Sequence, residues 1–295
     1  MRVKRIIYDG SAVLVDEARY VVIRESHYLV KPLHVFIGFI ENILLQGYRP
    51  FVKPLVLGSS GVARVLESSY GSDPGLTGKI VIISPIGERG ILSWDADGVL
   101  STYASIHRSY IMKTIARDRP EHAYYPFVVH GCSLGEVAGD NTLIVGCDIV
   151  GVSAAMYLSL KKYGYGLFCG GERIGNRIGL NVYRNLGEIQ ENYDSIIITD
   201  HRASLAYSVL RHVTTKRIIY SAFTDHSLIS SRSSTLITMK MNNTMIKHLD
   251  ENDAKTIMRK LRRHIVFVNS DDLGKIKELI PTRGLGVVVS LRSRS

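Results

Sequence analysis

Over the first 110 residues the apolar positions fall in short runs instead of at helical spacing. Residues 3–8, 12–15, 20–23, 62–66 and 79–84 are rich in β-branched side chains or alternate in part, which predicts short strands. Glycines punctuate them, so this part predicts a mostly β domain. The rhythm changes near residue 125. Residues 141–145 are apolar, 151–163 place Val152, Ala155, Met156 and Leu160 on one helical face, and 165–169 are apolar again. Runs at 194–199, 217–222 and 236–241 are interleaved with a helical stretch at 203–213. Strands alternating with helices predict a parallel sheet covered on both faces. A basic amphipathic helix at 251–264, a strand at 264–269, a short helix at 271–280 and a strand at 286–291 close the chain. The predicted class is α/β.

The run from Asn141 to Gly151, Asn-Thr-Leu-Ile-Val-Gly-Cys-Asp-Ile-Val-Gly, reads as a buried strand, a glycine turn and a helix start. That is the first unit of a Rossmann-type dinucleotide fold, G-x-G-x-x-G. Gly146 and Gly151 keep the tight turn and the close helix packing, while Asp148 replaces the middle glycine. Its carboxylate stands where the diphosphate would rest on the helix start at Ile149 and Val150. It is equally placed to cap that helix and plug the anion site itself. Both readings stay open. After the next strand, Gly170-Gly-Glu-Arg-Ile-Gly-Asn-Arg177 replaces the usual ribose turn, and the helix expected there looks shortened. Glu172 suits a ribose hydroxyl, whereas Arg173 and Arg177 suit a 2′-phosphate and would favour NADP over NAD. Asp200 and His201 follow the third strand of this part, where they either contact ligand or begin a helix capped by Asp200.

A length of 295 residues suits one large or two ordinary domains. The net charge of +10 and pI near 9.5 raise nucleic acid as a partner, with basic clusters at 259–264 and at Arg292 and Arg294. No DNA-reading motif or aromatic-basic interleaving accompanies them, so the charge reads as a solvated surface that attracts phosphate-bearing small molecules. Three scattered cysteines predict reduced thiols in a cytoplasmic protein. Residues 1–8 read as a charged strand and not a signal peptide. The longest apolar stretch, 33–48, is broken by Glu41, Asn42 and Gln46, so no membrane span is expected. His122 and His130, with Glu121 and Cys132 nearby, are read as structural and not as a metal centre. No P-loop, nucleophile elbow or H-E-x-x-H occurs.

Ordered landmarks resemble the medium-chain dehydrogenase/reductase family, which includes zinc-type alcohol dehydrogenases and quinone reductases. Pro54-Leu-Val-Leu-Gly58, Gly78-Lys-Ile-Val-Ile82, Asp97-Gly-Val-Leu-Ser-Thr-Tyr-Ala104, the turn at 142–151 and the closing segment 276–291 match in order. The resemblance implies a β-rich GroES-like domain over 1–124, completed by 246–295, and a Rossmann-type domain over 125–245. It implies NADP or NAD as cofactor and a small carbonyl or alcohol as substrate. The zinc ligands depart from the pattern: Ile40 stands at the cysteine, Gly58-Ser59-Ser60 replaces glycine-histidine-glutamate, and Tyr125 falls at the third ligand's place. The resemblance therefore implies a zinc-independent oxidoreductase in which Asn42, Ser59, Ser60 or Tyr103 polarises the carbonyl, unless these groups merely make loop hydrogen bonds. The alternative is a non-catalytic relative, a scaffold or ligand sensor with a degenerate nucleotide site. Family members often join edge strands, so residues 236–240 are the candidate seam of a homodimer.

Overall fold

In the computed structural model the described residues are 2–47, 54–170, 178–224, 235–238 (backbone only) and 250–291. The chain divides into two compact units, Met1–Pro126 with Ile265–Ser295, and Phe127–His264.

The first unit follows the β-rich pattern. Its strands are β1 (Val3–Tyr8), β2 (Val13–Ala18), β3 (His27–Ile37), β4 (Leu55–Val56), β5 (Ser60–Ser68), β6 (Ile80–Ile83), β7 (Ile86–Gly87), β8 (Gly90–Ile91), β9 (Ala104–His107) and β10 (Ile111–Ile115). The helix α1 (Phe39–Leu45) follows β3 directly. The long strand β3 is the hub of the main sheet. It pairs with β5 and β9, and its register with β5 shifts between Pro32 and His34, as expected where proline cannot donate to the ladder. Val30, Val35, Val65, Val81 and Ile83 lie in one fully buried cluster on this sheet. The expected strand at 20–23 is absent: that segment is irregular, with Tyr20 69% exposed and Val22 61% exposed. Apolar content alone misled there, because these two side chains stay exposed.

The second unit contains α2 (Tyr125–Ala138, its first residues belonging to the first unit), β11 (Thr142–Val145), α3 (Ile149–Leu160), β12 (Tyr165–Phe168), β13 (Val182–Tyr183), β14 (Asn192–Ile198), α4 (Ala203–His212), β15 (Thr214–Tyr220), β16 (Thr235–Thr238) and α5 (Glu251–Leu261). The six strands are all parallel, in the order β13-β12-β11-β14-β15-β16. This is the doubly wound order, with its reversal at β11 and β14. Leu143, Val145, Ile196, Ile198 and Ile218 are buried on it. Arg217 reaches back to donate to the carbonyls of Val137 and Ala138 at 3.2 and 2.8 Å, satisfying the end of α2.

Helix α5 packs on α3 through Ala254, Ile257 and Leu261, and Asp253 pairs with Lys161 at 2.7 Å. The return to the first unit consequently starts at Ile265 and not at residue 246. There β17 (Val266–Asn269), α6 (Leu273–Lys277) and β18 (Val287–Ser290) complete the fold, with β18 antiparallel to β3 and β17 beside it.

Candidate functional site

Strand β11 runs into a turn at Gly146, from which α3 departs. Gly146 has φ +124°, and a Cβ there would meet Thr199 Oγ1 at 2.3 Å and the Asp200 nitrogen at 2.6 Å. A Cβ on Gly151 would lie 2.2 Å from the Gly146 carbonyl oxygen. Both positions need glycine, one for the left-handed turn and both for the close crossover. Asp148 is the N-cap of α3: its Oδ1 accepts from the Val150 N–H at 2.7 Å and the Gly151 N–H at 2.9 Å. Those are amides that an anion at a helix N-terminus would use. Of the two readings left open, capping is the arrangement seen. Surrounding protein atoms push the Asp148 carboxyl up to about 7, with the Asp200 charge adding to the effect; the two amides and the Thr199 hydroxyl pull it back.

Asp200 lies buried just beyond β14. It binds Arg202 in two side-chain bonds, Nε to Oδ1 at 2.9 Å and Nη2 to Oδ2 at 2.6 Å, and Oδ1 also accepts the Arg202 N–H. The N-cap of α4 is thus Arg202 itself and not Asp200. The same guanidinium reaches the end of β12, since a Cβ on Gly170 would meet Arg202 Nη2 at 3.2 Å. Arg202 escaped the sequence reading, although the spacing Asp-x-Arg directly after an apolar strand was a usable signal. The neighbouring His201 is held below its ordinary pKa by burial. Glu172, Arg173 and Arg177 lie outside the described residues.

The expectation of three reduced thiols is corrected. Cys147 and Cys169 form a disulfide with Cα atoms 5.1 Å apart, while Cys132 is free and buried. They are distant in sequence, but the parallel pairing of Val145 with Phe168 brings the two strand ends together. The bond ties the glycine turn to the end of β12.

In the first unit, Asn42 joins α1 to the loop before β18: its Oδ1 accepts the Thr282 N–H at 2.7 Å and its Nδ2 donates to the Thr282 carbonyl at 3.0 Å. Ser59 is fully buried, its N–H donating to Glu41 Oε1 at 2.8 Å and its hydroxyl facing Oε2 at 3.5 Å. Ser60 donates to the Ile83 and Ala123 carbonyls, a structural bond. Glu41 was the residue missed here. It gathers the N–H groups of Gly38, Gly58 and Ser59, and burial raises its carboxyl pKa. Its position three residues after Gly38, at the third position of α1, was the readable clue. Ser59 therefore binds this buried carboxylate, Asn42 is held by Thr282, and Tyr103 lines a separate cavity of the same unit. At the places where the resemblance puts zinc ligands, Ile40 offers no donor atom, Ser59 is engaged with Glu41, and the Tyr125 hydroxyl accepts from Lys113 at 3.3 Å. This set does not fit zinc.

His122 belongs to the first unit, His130 and Cys132 to the second. His130 is buried against Phe223, its Nε2 3.1 Å from the Ser221 hydroxyl, and burial pushes its pKa down to about 3. Among the described residues no group of three or more His, Cys, Asp or Glu is placed to hold a metal, and no helix is long and apolar enough to cross a membrane.

Comparison with solved structures shows which proteins share this fold. Over 98% of the chain and 100% of theirs, the backbone matches an alcohol dehydrogenase from Pyrobaculum aerophilum, with a TM-score of 0.70 at 14% identity. The fold is that of the alcohol dehydrogenases. An alcohol dehydrogenase of E. coli CFT073 complexed with NADH matches at a TM-score of 0.75, with 14% identity over 98% of this chain and 99% of that one. A dehydrogenase from Sinorhizobium meliloti 1021 bound to NADP matches at 0.72, again with 14% identity over 98% and 99%. No protein-family profile matches the sequence, and no curated protein matches it either.

Proposed function

We propose that this chain is an NAD(P)-dependent oxidoreductase that acts on a small carbonyl or alcohol and works without the zinc of its relatives. The observation that carries the reading is the Gly146–Gly151 crossover, set where the strand order reverses in a fold shared with dehydrogenases. In this reading Gly146, Ile149, Val150 and Gly151 face the diphosphate, and Asp200 and Arg202 lie towards the adenosine ribose, with Glu172, Arg173 and Arg177 completing that end. A nicotinamide cofactor bound there supplies or accepts hydride. With Ile40, Ser59 and Tyr125 unfit for zinc, Asn42, Ser59 or Tyr103 supplies the hydrogen bond to the reacting oxygen.

The backbone of the turn fits a dinucleotide, and the charge of Asp148 opposes it. A carboxyl that titrates near 7 resolves the conflict, because its neutral form neither repels a diphosphate nor holds the amides as tightly. The test is calorimetric titration with NADH and NADPH at pH 6 and pH 8. The expected outcome is about tenfold tighter NADH binding at pH 6, following the Asp148 proton. A second reading, a non-catalytic protein that kept the fold, is favoured by the capping role of Asp148 and by the internal bonds of Asn42 and Ser59. Binding gained only in Asp148→Gly would establish that reading. No binding of either cofactor in either protein would overturn the oxidoreductase.

A further inference from the structure

The first unit holds a cavity of about 390 Å³, of whose lining the dehydrogenase reading uses at most Tyr103. Its walls come from β1, β9, the irregular stretch after β2 and the β7–β8 hairpin, all within residues 3–110. Val3, Val56, Leu92 and Ile106 supply an apolar lining, to which the exposed Tyr20 and Val22 add.

Polar groups converge on the same space. Tyr110 is 1% exposed, and its hydroxyl has no partner among the described residues; the buried Ser105 hydroxyl is also unpartnered. A buried hydroxyl left unsatisfied costs about 1–3 kcal/mol, so two of them on residues that line one cavity make it a place where a polar ligand atom would be rewarded. His27 and His107 meet edge to face at 5.2 Å. His27 donates from Nδ1 to the Glu25 carbonyl at 2.7 Å, whereas His107 Nδ1 accepts the Ser109 N–H at 3.3 Å. Their neutral rings thus leave a bare Nε2 on His27 and an Nε2–H on His107, one acceptor and one donor.

Charges of both signs line the cavity, and their engagement decides where an anion can sit. Asp95 and Asp97 also line the cavity, but each carboxylate already accepts a backbone amide, from Ile91 at 2.8 Å and Val56 at 2.9 Å. Arg5 is paired with Asp16 at 2.6 Å. Arg24 and Arg89 line the cavity and form no ion pair among the described residues. Burial holds both histidines below their ordinary pKa; the Arg89 charge adds to this for both, and the Arg24 charge for His27.

We propose that this cavity binds a small organic acid, its carboxylate at Arg89 and Arg24 and its apolar or aromatic body against Val3, Val56, Leu92 and Ile106. The volume lies within the range of sites that enclose a small molecule, and an arginine matches a carboxylate in two parallel bonds. This ligand needs neither the nucleotide turn nor a cofactor, so the assignment stands or falls apart from the oxidoreductase.

Phenylacetate is the probe, followed by calorimetry and by fluorescence of Trp94, the single tryptophan, which sits between the cavity residues Leu92 and Asp95. Saturable binding is expected, with phenylacetamide at least about tenfold weaker. Arg89→Gln, on an exposed hairpin, is expected to weaken phenylacetate about tenfold. Tyr110→Phe is expected to weaken it about fivefold without lowering the melting temperature, since its hydroxyl has no partner to lose. Equal affinity for acid and amide, indifference to Arg89→Gln, or binding of inorganic phosphate in place of phenylacetate would each overturn the proposal, as would no saturable binding.

Discussion

Asp148 is the residue on which the chemistry of the second unit turns. Its carboxylate caps α3 through two N–H groups, an arrangement that favours the charged form, yet the surrounding protein lifts its pKa from 3.8 to about 7. The folded state therefore holds a proton that the unfolded chain releases. Its contribution to stability is fully present below pH 3.8 and is lost as pH rises through about 7. Asparagine is as good an N-cap and carries no charge. Asp148→Asn is thus expected to be more stable than the parent at pH 8 by about 1 kcal/mol or more, with the gap narrowing towards pH 4. Thermal melts across that range decide it. A gap that stays constant, or one that widens on acidification, would show that the carboxyl titrates at an ordinary value.

At the level of elements, the Cys147–Cys169 bond joins two adjacent strand ends across a separation of 22 residues. A cross-link closing a loop of that length stabilises by roughly 3 kcal/mol in the chain-entropy treatment. Reduction, or Cys169→Ser, is expected to lower the melting temperature and to speed hydrogen exchange at Gly146 and Gly170, while exchange on β3 in the first unit stays unchanged. Protection at the turn that survives reduction would mean the strands alone hold it. This bond also shows where sequence reading stops. Strand β1 and the β11–α3 crossover were legible because their patterns are local: alternating or apolar runs, and glycines where a Cβ has no room. The pairing of Cys147 with Cys169 depends on β11 and β12 lying in parallel register, which no spacing encodes. Strand β3 was hidden by Pro32 and by scattered polar residues that only its central place in the sheet makes tolerable. In the candidate site the glycines and Asp148 were readable, whereas Glu41 and Arg202 left only a local clue each, because the partners through which they act are brought close by the fold.

For the whole molecule, the backbone matches that of dehydrogenases at 14% identity with no sequence-level match, so the fold does not depend on most of their side-chain identities. The remaining question at this scale is assembly. In the six-stranded sheet β16 pairs with β15 and ends the strand order, which leaves one of its sides without a strand among the described residues. An open edge of a buried parallel sheet invites pairing, and a two-fold axis beside it lets two copies of β16 pair antiparallel and continue the sheet through both chains. Residues 236–238 of the expected seam lie on this strand, while Met239 and Lys240 fall outside the described residues. A chain carrying +10 would otherwise repel its copy, so the association is expected to strengthen as salt screens that charge. Light scattering on a sizing column is expected to give twice the chain mass of 32.9 kDa. Ile237→Pro removes a ladder N–H from this strand and is expected to shift the species towards a single chain. A single-chain mass at every concentration and salt, or a dimer indifferent to Ile237→Pro, would place the assembly surface elsewhere or nowhere.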